Sequence, residues 1–150
     1  MTRSAETPRP GIYLAAAVFC ERILRERDDV LSLIRVVNTF TMQVRGKNLP
    51  TEMPKALPPL EATAFLAFNC EEAGRHRIDL VTTSPSGKRS PSHSLDINAD
   101  GDGKVENAIL TFRMTVDMPG LFWVDVAIDG VNVTRMPMHI RYEPIEDESG

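Results

Sequence analysis

The residues best placed to do chemistry lie in the run Asp96-Ile-Asn98-Ala-Asp100-Gly-Asp102-Gly-Lys-Val-Glu106, which sets oxygen-bearing side chains at alternate positions around a glycine. Such spacing lets several oxygens turn toward one hard cation, and calcium is the cation it suits. Two registers can be drawn, one with Asp96, Asn98, Asp100 and Asp102 as ligands and one with Asn98, Asp100, Asp102 and Glu106. Neither closes. The twelfth position, where a bidentate Glu completes a calcium loop, holds Asn107 in one register and Ile109 in the other. The flanks also read as strands, whereas the calcium hand is flanked by helices. The favoured reading is an acidic turn in which Asp, Asn and Gly supply unusual backbone angles. A weak calcium-binding or small-ligand-binding loop is the alternative.

Other candidate groups are scattered. His76, His93 and His139 have no neighbour at metal-clamp spacing; His76 and His139 fall in strand patterns and are expected to face solvent or to be satisfied by hydrogen bonds. Ser84, Ser86 and Cys20 are conceivable nucleophiles, but no Gly-x-Ser-x-Gly elbow frames a serine and Cys20 has no recognisable base. The run Ser86-Gly-Lys-Arg-Ser90 has a lysine without the glycine spacing of a phosphate loop. No catalytic residue and no cofactor are therefore expected. Cys20 and Cys70 fit neither a Cys-x-x-Cys pair nor a zinc set, and buried free thiols are favoured over a disulfide. Trp123 shares its expected face with Asp125 and Ala127, opposite the core. It either covers part of the sheet or anchors a partner, since exposed tryptophans are enriched in binding hot spots.

The elements that must position these groups are strands. At 150 residues the chain fits one domain, long enough to bury roughly 70 % of its unfolded surface without a disulfide or metal. Hydrophobic residues at 42 %, charged residues at 25 % and a net charge of -4 describe a globular chain with no basic stripe, so nucleic acid is not an expected partner. Period-two alternation marks residues 61–70, 76–82, 94–98, 108–116 and 121–129, and a return strand 131–142. Asp129-Gly130 signals a two-residue hairpin turn, because both central positions need positive φ. Pro137 lacks a ladder donor and places its strand at an edge or a bulge. Residues 31–37 and 38–45 add two more strands. For residues 14–27 the aromatic and β-branched content favours a strand, with an Ala-, Leu-, Glu- and Arg-rich helix as the alternative. The pattern implies an all-β fold, a two-sheet antiparallel sandwich of immunoglobulin-like or C2-like type with roughly eight strands.

Residues 1–10 read as a flexible lead-in, 11–142 as the sandwich and 143–150 as an acidic tail. The run Ile12 to Cys20 imitates a signal peptide, but Pro8, Pro10 and Gly11 lead into it and no small-residue cleavage site follows. With no apolar run near the ~20 residues of a membrane helix, a cytoplasmic location away from membranes is expected. The proline-rich residues 46–60 form a long connection, and such loops are often functional.

An opening strand ending in Cys20-Glu21, a charged turn at residues 25–29, the segment Leu31-Ser-Leu-Ile-Arg35, the Pro119-Gly120-Leu-Phe122 run, the Asp129-Gly130 turn and a closing Pro137-Met-His-Ile140 together resemble a family of short bacterial proteins of unknown function. The resemblance covers most of residues 12–142 and implies a β-sandwich, with no activity or site to carry over. The chain departs from the pattern at Arg35, where a glycine is expected. The functional expectation is a non-enzymatic protein-interaction or self-assembly module. It would present an edge strand and the 46–60 loop to a protein partner or to a second copy, with Trp123, Leu49, Met53 and Leu57 as contact residues.

Overall fold

Alternating side chains and frequent turn residues leave the chain little choice but paired strands. The computed structural model describes residues 11–147, and among these it holds nine strands and no helix. They are β1 (Ile12–Arg25), β2 (Leu31–Val37), β3 (Thr39–Gly46), β4 (Leu60–Cys70), β5 (Gly74–Thr83), β6 (His93–Ala99), β7 (Val105–Met114), β8 (Gly120–Ile128) and β9 (Val131–Glu146). Four form sheet A in the order β2-β1-β4-β7, and five form sheet B in the order β3-β9-β8-β5-β6. The lead-in at residues 1–10 and residues 148–150 of the acidic tail lie outside the described residues. None of the described helices is long and apolar enough to cross a membrane, because there are none.

The inner faces obey the alternation. Leu66, Phe68, Ile78, Leu80, Val124, Val126, Ile128, Met138 and Ile140 are almost wholly removed from solvent in one core. Each such side chain contributes about 1.5–3 kcal/mol relative to exposure. Phe19 of β1 crosses the gap to Phe40 of β3 edge-to-face at 5.7 Å, joining the two sheets. Residues 12–25 are a strand: β1 has ladder partners on both sides, β2 and β4, and paired neighbours override the helical propensity of its alanines.

Three features depart from or refine the sequence reading. The chain leaves sheet A at Val37 and enters sheet B at Thr39, with Asn38 alone between them, so β3 arrives parallel to β9. Sheet B is therefore mixed rather than wholly antiparallel. A period of two fixes which face a side chain takes but not which strand it pairs with. The same ladder carries β9 on to Glu146, beyond the expected end at Tyr142, and the Asp147 amide donates to the Gly46 carbonyl at 2.9 Å. Pro137 sits inside β9, but β3 pairs with β9 only from His139 onward. At Pro137 the strand has β8 as its one neighbour, so the missing donor faces no ladder. At the hairpin, Asp129 and Gly130 take φ of 51° and 83°, as the turn type demands.

Candidate functional site

The β4–β5 turn, residues 71–73, brings Cys70 beside His76, and the Asp129-Gly130 turn delivers a carboxylate to the other side of the same ring. His76 Nδ1 lies 2.6 Å from Asp129 Oδ2 and Nε2 lies 2.7 Å from the Glu72 carbonyl oxygen, while Cys70 Sγ is 3.2 Å from Nε2. A carbonyl oxygen only accepts, so Nε2 carries a proton. The hydrogen bond to Asp129 raises the His76 pKa above its ordinary value against the opposing effect of burial, with the Glu72 carbonyl and the nearby charges adding to the rise. Both ring nitrogens thus face oxygen acceptors, an environment that favours the protonated ring.

Cysteine, histidine and aspartate in this order invite comparison with a nucleophilic triad. The geometry points elsewhere. Nε2, which would have to take the thiol proton, is already a donor to Glu72, and the Cys70 thiol lies 3.1 Å from that same carbonyl. Cys70 and His76 are 1 % and 2 % exposed, so no substrate reaches the sulfur. The cluster ties the ends of β4, β5 and β8 together; Asp129 also accepts from the Arg77 amide at 2.9 Å. Sequence reading placed His76 as a strand histidine satisfied by hydrogen bonds or facing solvent, and the first holds. It missed Cys70 and Asp129 as the neighbours. The signal was a Cys and a His six residues apart across a short turn, with an acidic residue in the hairpin turn. Cys20 and Cys70 are both free and buried, and burial pushes the Cys20 thiol pKa up.

The acidic run does not gather into a cation site. Asp96 and Asn98 are exposed on β6 and Glu106 has already entered β7. Asp102 is bonded to Lys104 through both the amide, at 3.1 Å, and the ammonium, at 3.1 Å; these contacts hold its carboxyl below the usual range. Among the described residues no three His, Cys, Asp or Glu side chains are placed to hold a metal. Of the ligands drawn for the calcium alternative, Asp96 and Asn98 lie on β6, Asp100 and Asp102 in the turn and Glu106 on β7. The turn is docked: Asn69 Nδ2 donates to the Gly103 carbonyl at 2.8 Å. Gly101 has φ of 79°, and a Cβ there would meet Ala73 at 2.7 Å.

In the 46–60 loop, the expected contact residue Met53 is corrected to a core residue. The loop crosses from sheet B to sheet A, and Met53 is buried in the core while Leu57 packs against it. Leu49 is half-buried, with its amide and that of Asn48 both bonded to the Glu146 carboxylate at 3.1 Å. Tyr142 holds the Pro50 carbonyl at 2.9 Å. A proline-rich segment with methionine and leucines at intervals suits a strap over an open sandwich edge, with Met53 inside the core and Leu57 half-buried against it. Trp123 is half-buried on the outer face of sheet B, with the Arg135 guanidinium over its ring at 4.5 Å; Arg135 in turn pairs with Asp125 at 2.8 Å.

The outer face of sheet A differs. Register places Val36, Cys20, Thr63 and Thr111 in one row and Val18, Phe65 and Ile109 in the next. Ala16 and Ala67 follow, then Tyr13 and Val105 on either side of Asn69. Cys20, Phe65 and Ala67 are buried yet stand outside the core cluster, hemmed in by neighbours on their own face. Of the eight large hydrophobics exposed among the described residues, Tyr13, Leu24, Val36, Val105 and Ile109 lie on this side, with Val36 62 % exposed. Scattered exposed apolar residues need no explanation, but a contiguous set does. Sequence reading assigned these residues to strands without seeing that their outward-facing positions meet across three ladders.

No curated protein matches this chain. Among solved structures it is similar to part of the Pseudomonas fluorescens alkylpurine DNA glycosylase AlkC bound to DNA containing an abasic site analog, at 9 % identity and a TM-score of 0.49, over 87 % of this chain and 30 % of that one. It is also similar to part of a β-glucosidase from Listeria innocua in complex with glucose, at 14 % identity and a TM-score of 0.39, over 63 % of this chain and 16 % of that one. The chain spans less than a third of either protein, and neither activity passes to it. The match that covers the strands described above is to a family, over residues 15–141: the chain belongs to the family of unknown function DUF6941.

Proposed function

We propose that this chain is a non-enzymatic protein-interaction module that docks through the outer face of sheet A, either to a protein partner or to a second copy. The observation that carries the reading is the apolar band on this face, in which the exposed Val36 and Ile109 flank the half-buried Val18 and the buried Phe65. Apolar surface of this kind gains about 25 cal/mol per Å² when covered, and it is framed by polar groups such as the Glu61–Arg113 pair, the arrangement of an interface core and rim. β2 adds an exposed edge with free ladder groups beside the band, a second means of recruiting a strand. The sealed Cys70–His76–Asp129 cluster supports a binding role over a catalytic one. The test is a charge on the band: Val36→Asp with Ile109→Asp, compared with the wild type in sedimentation velocity and in quantitative capture from the producing cells. The double variant is expected to lose association at least tenfold while keeping its melting temperature. Equal association by both proteins would overturn the reading.

A further inference from the structure

Away from this face, a cleft of about 380 Å³ opens between the β5–β6 connection and the end of β7, and its lining combines cations with an apolar floor. Lys88 and Arg89 stand on its rim, His93 and Arg113 beside them, and Phe122 and Met114 form the floor. The chain carries a net charge of -4, so three cationic side chains and a histidine around one opening run against its overall balance. Arg113 has Glu61 at 3.3 Å, whereas Lys88 and Arg89 have no ion-pair partner among the described residues. Asp117 is the one carboxylate in the lining.

The segment that carries the two unpaired cations is held in shape. The Ser84 amide donates to the Lys88 carbonyl at 2.9 Å, Gly87 donates back to Ser84 at 2.9 Å, and Ser90 donates to the Thr82 carbonyl at 2.9 Å. The Ser84 hydroxyl accepts from the Lys88 amide at 3.1 Å. Pro85 is seated on Gly120, where a Cβ would come within 2.9 Å of its ring. On the opposite wall the His93 ring lies 5.2 Å from Phe112. Cations carried on a held segment over an apolar floor, in a cleft within the usual size range for small ligands, are the parts of a pocket that orients a ligand by its charge and holds it by its stem.

We infer that this cleft binds a small anion carrying an apolar group, with Lys88 and Arg89 receiving the anionic end and Phe122 and Met114 the apolar end. A phosphate monoester and a carboxylate share that chemistry, and the test separates them. Phenyl phosphate, benzoate, inorganic phosphate and benzyl alcohol are titrated into the ¹⁵N-labelled full chain and followed by amide shifts. Saturable shifts confined to residues 82–93 and 113–122 are expected with one or both aryl anions. Binding at least tenfold weaker is expected with inorganic phosphate and with benzyl alcohol. The Lys88→Ala/Arg89→Ala double variant, whose exposed positions leave the melting temperature unchanged, is expected to lose aryl-anion binding at least tenfold. No saturable binding by either aryl anion would overturn the inference. So would equal binding of inorganic phosphate, or unaltered binding by the double variant.

Discussion

Sheet A and sheet B close over the same core but turn different chemistry outward. On sheet B the outer side chains satisfy one another: Arg135 bridges Asp125 and Trp123, Arg77 reaches Asp79 at 3.0 Å, Ser94 bonds that same Asp79, and Gln43 donates to Glu143 at 3.0 Å. On sheet A, apart from the Thr63–Thr111 hydrogen bond at 3.0 Å, the outward positions include Cys20, Phe65 and Ala67, already buried, and around them the exposed Val36, Val105 and Ile109, which gain from being covered. A face that completes its own contacts has no need of a partner, and one that leaves apolar rows open is built for cover. Under the proposed function, sheet B serves stability and the outer face of sheet A serves recognition.

The largest effect on stability is expected where sheet B and the sandwich end are locked. His76→Ala removes one partner of a carboxylate that is 21 % exposed and opens a cavity beneath it; a loss of about 3 kcal/mol is expected by urea unfolding. Gly101→Ala follows, at about 2 kcal/mol, because left-handed φ and a backbone contact at 2.7 Å both oppose a Cβ. A pH dependence ranks next. The folded pKa of His76 is raised above an unfolded value near 6.5, so the protonated ring binds its proton more tightly in the native state. Its contribution is full below about pH 6.5 and is lost as pH rises through the folded pKa. Unfolding free energies measured from pH 6 to 9 should fall for the wild type relative to His76→Gln.

Smaller effects fall on sheet A. Val36→Asp and Ile109→Asp change exposed positions and are expected to shift stability by less than about 0.5 kcal/mol, although they remove association. Arg35 tests the edge strand itself. It occupies the left-handed region at φ 54° and pairs with Glu21, both partners largely exposed. Arg35→Gly relieves strain of about 1 kcal/mol and gives up a surface ion pair of about 0.5 kcal/mol, so thermal melts should show a small rise.

Much of the fold was legible because alternation is local. β7 spans Val105–Met114 where alternation marked 108–116, but its faces are those the periodicity predicts, with Phe112 and Met114 inward and Ile109 outward, and the Asp129-Gly130 turn adopts the φ values its composition requires. The glycine expected at position 35 from the family resemblance coincides with a backbone that only glycine takes without strain. What was hidden depends on contacts between distant segments. Met53 looked like an exposed loop methionine until the strap that carries it was seen to close the core. Asp129 looked like turn chemistry alone, because nothing local announces that His76 lies against it. The apolar band was invisible for the same reason: Val18, Phe65 and Ile109 each sit on the polar side of an otherwise ordinary alternation, and only the ladder order brings them into one row.

The central claim is that the outer face of sheet A, and not that of sheet B, meets a partner. It is tested most directly by placing a photo-crosslinking benzoylphenylalanine at Val36 in one protein and at Thr41, on the opposite sheet, in another, then irradiating the producing cells. The account expects discrete protein adducts, to a partner or to a second copy, from position 36 and none from position 41. Adducts from position 41 alone, equal adducts from both or none from position 36 would contradict it.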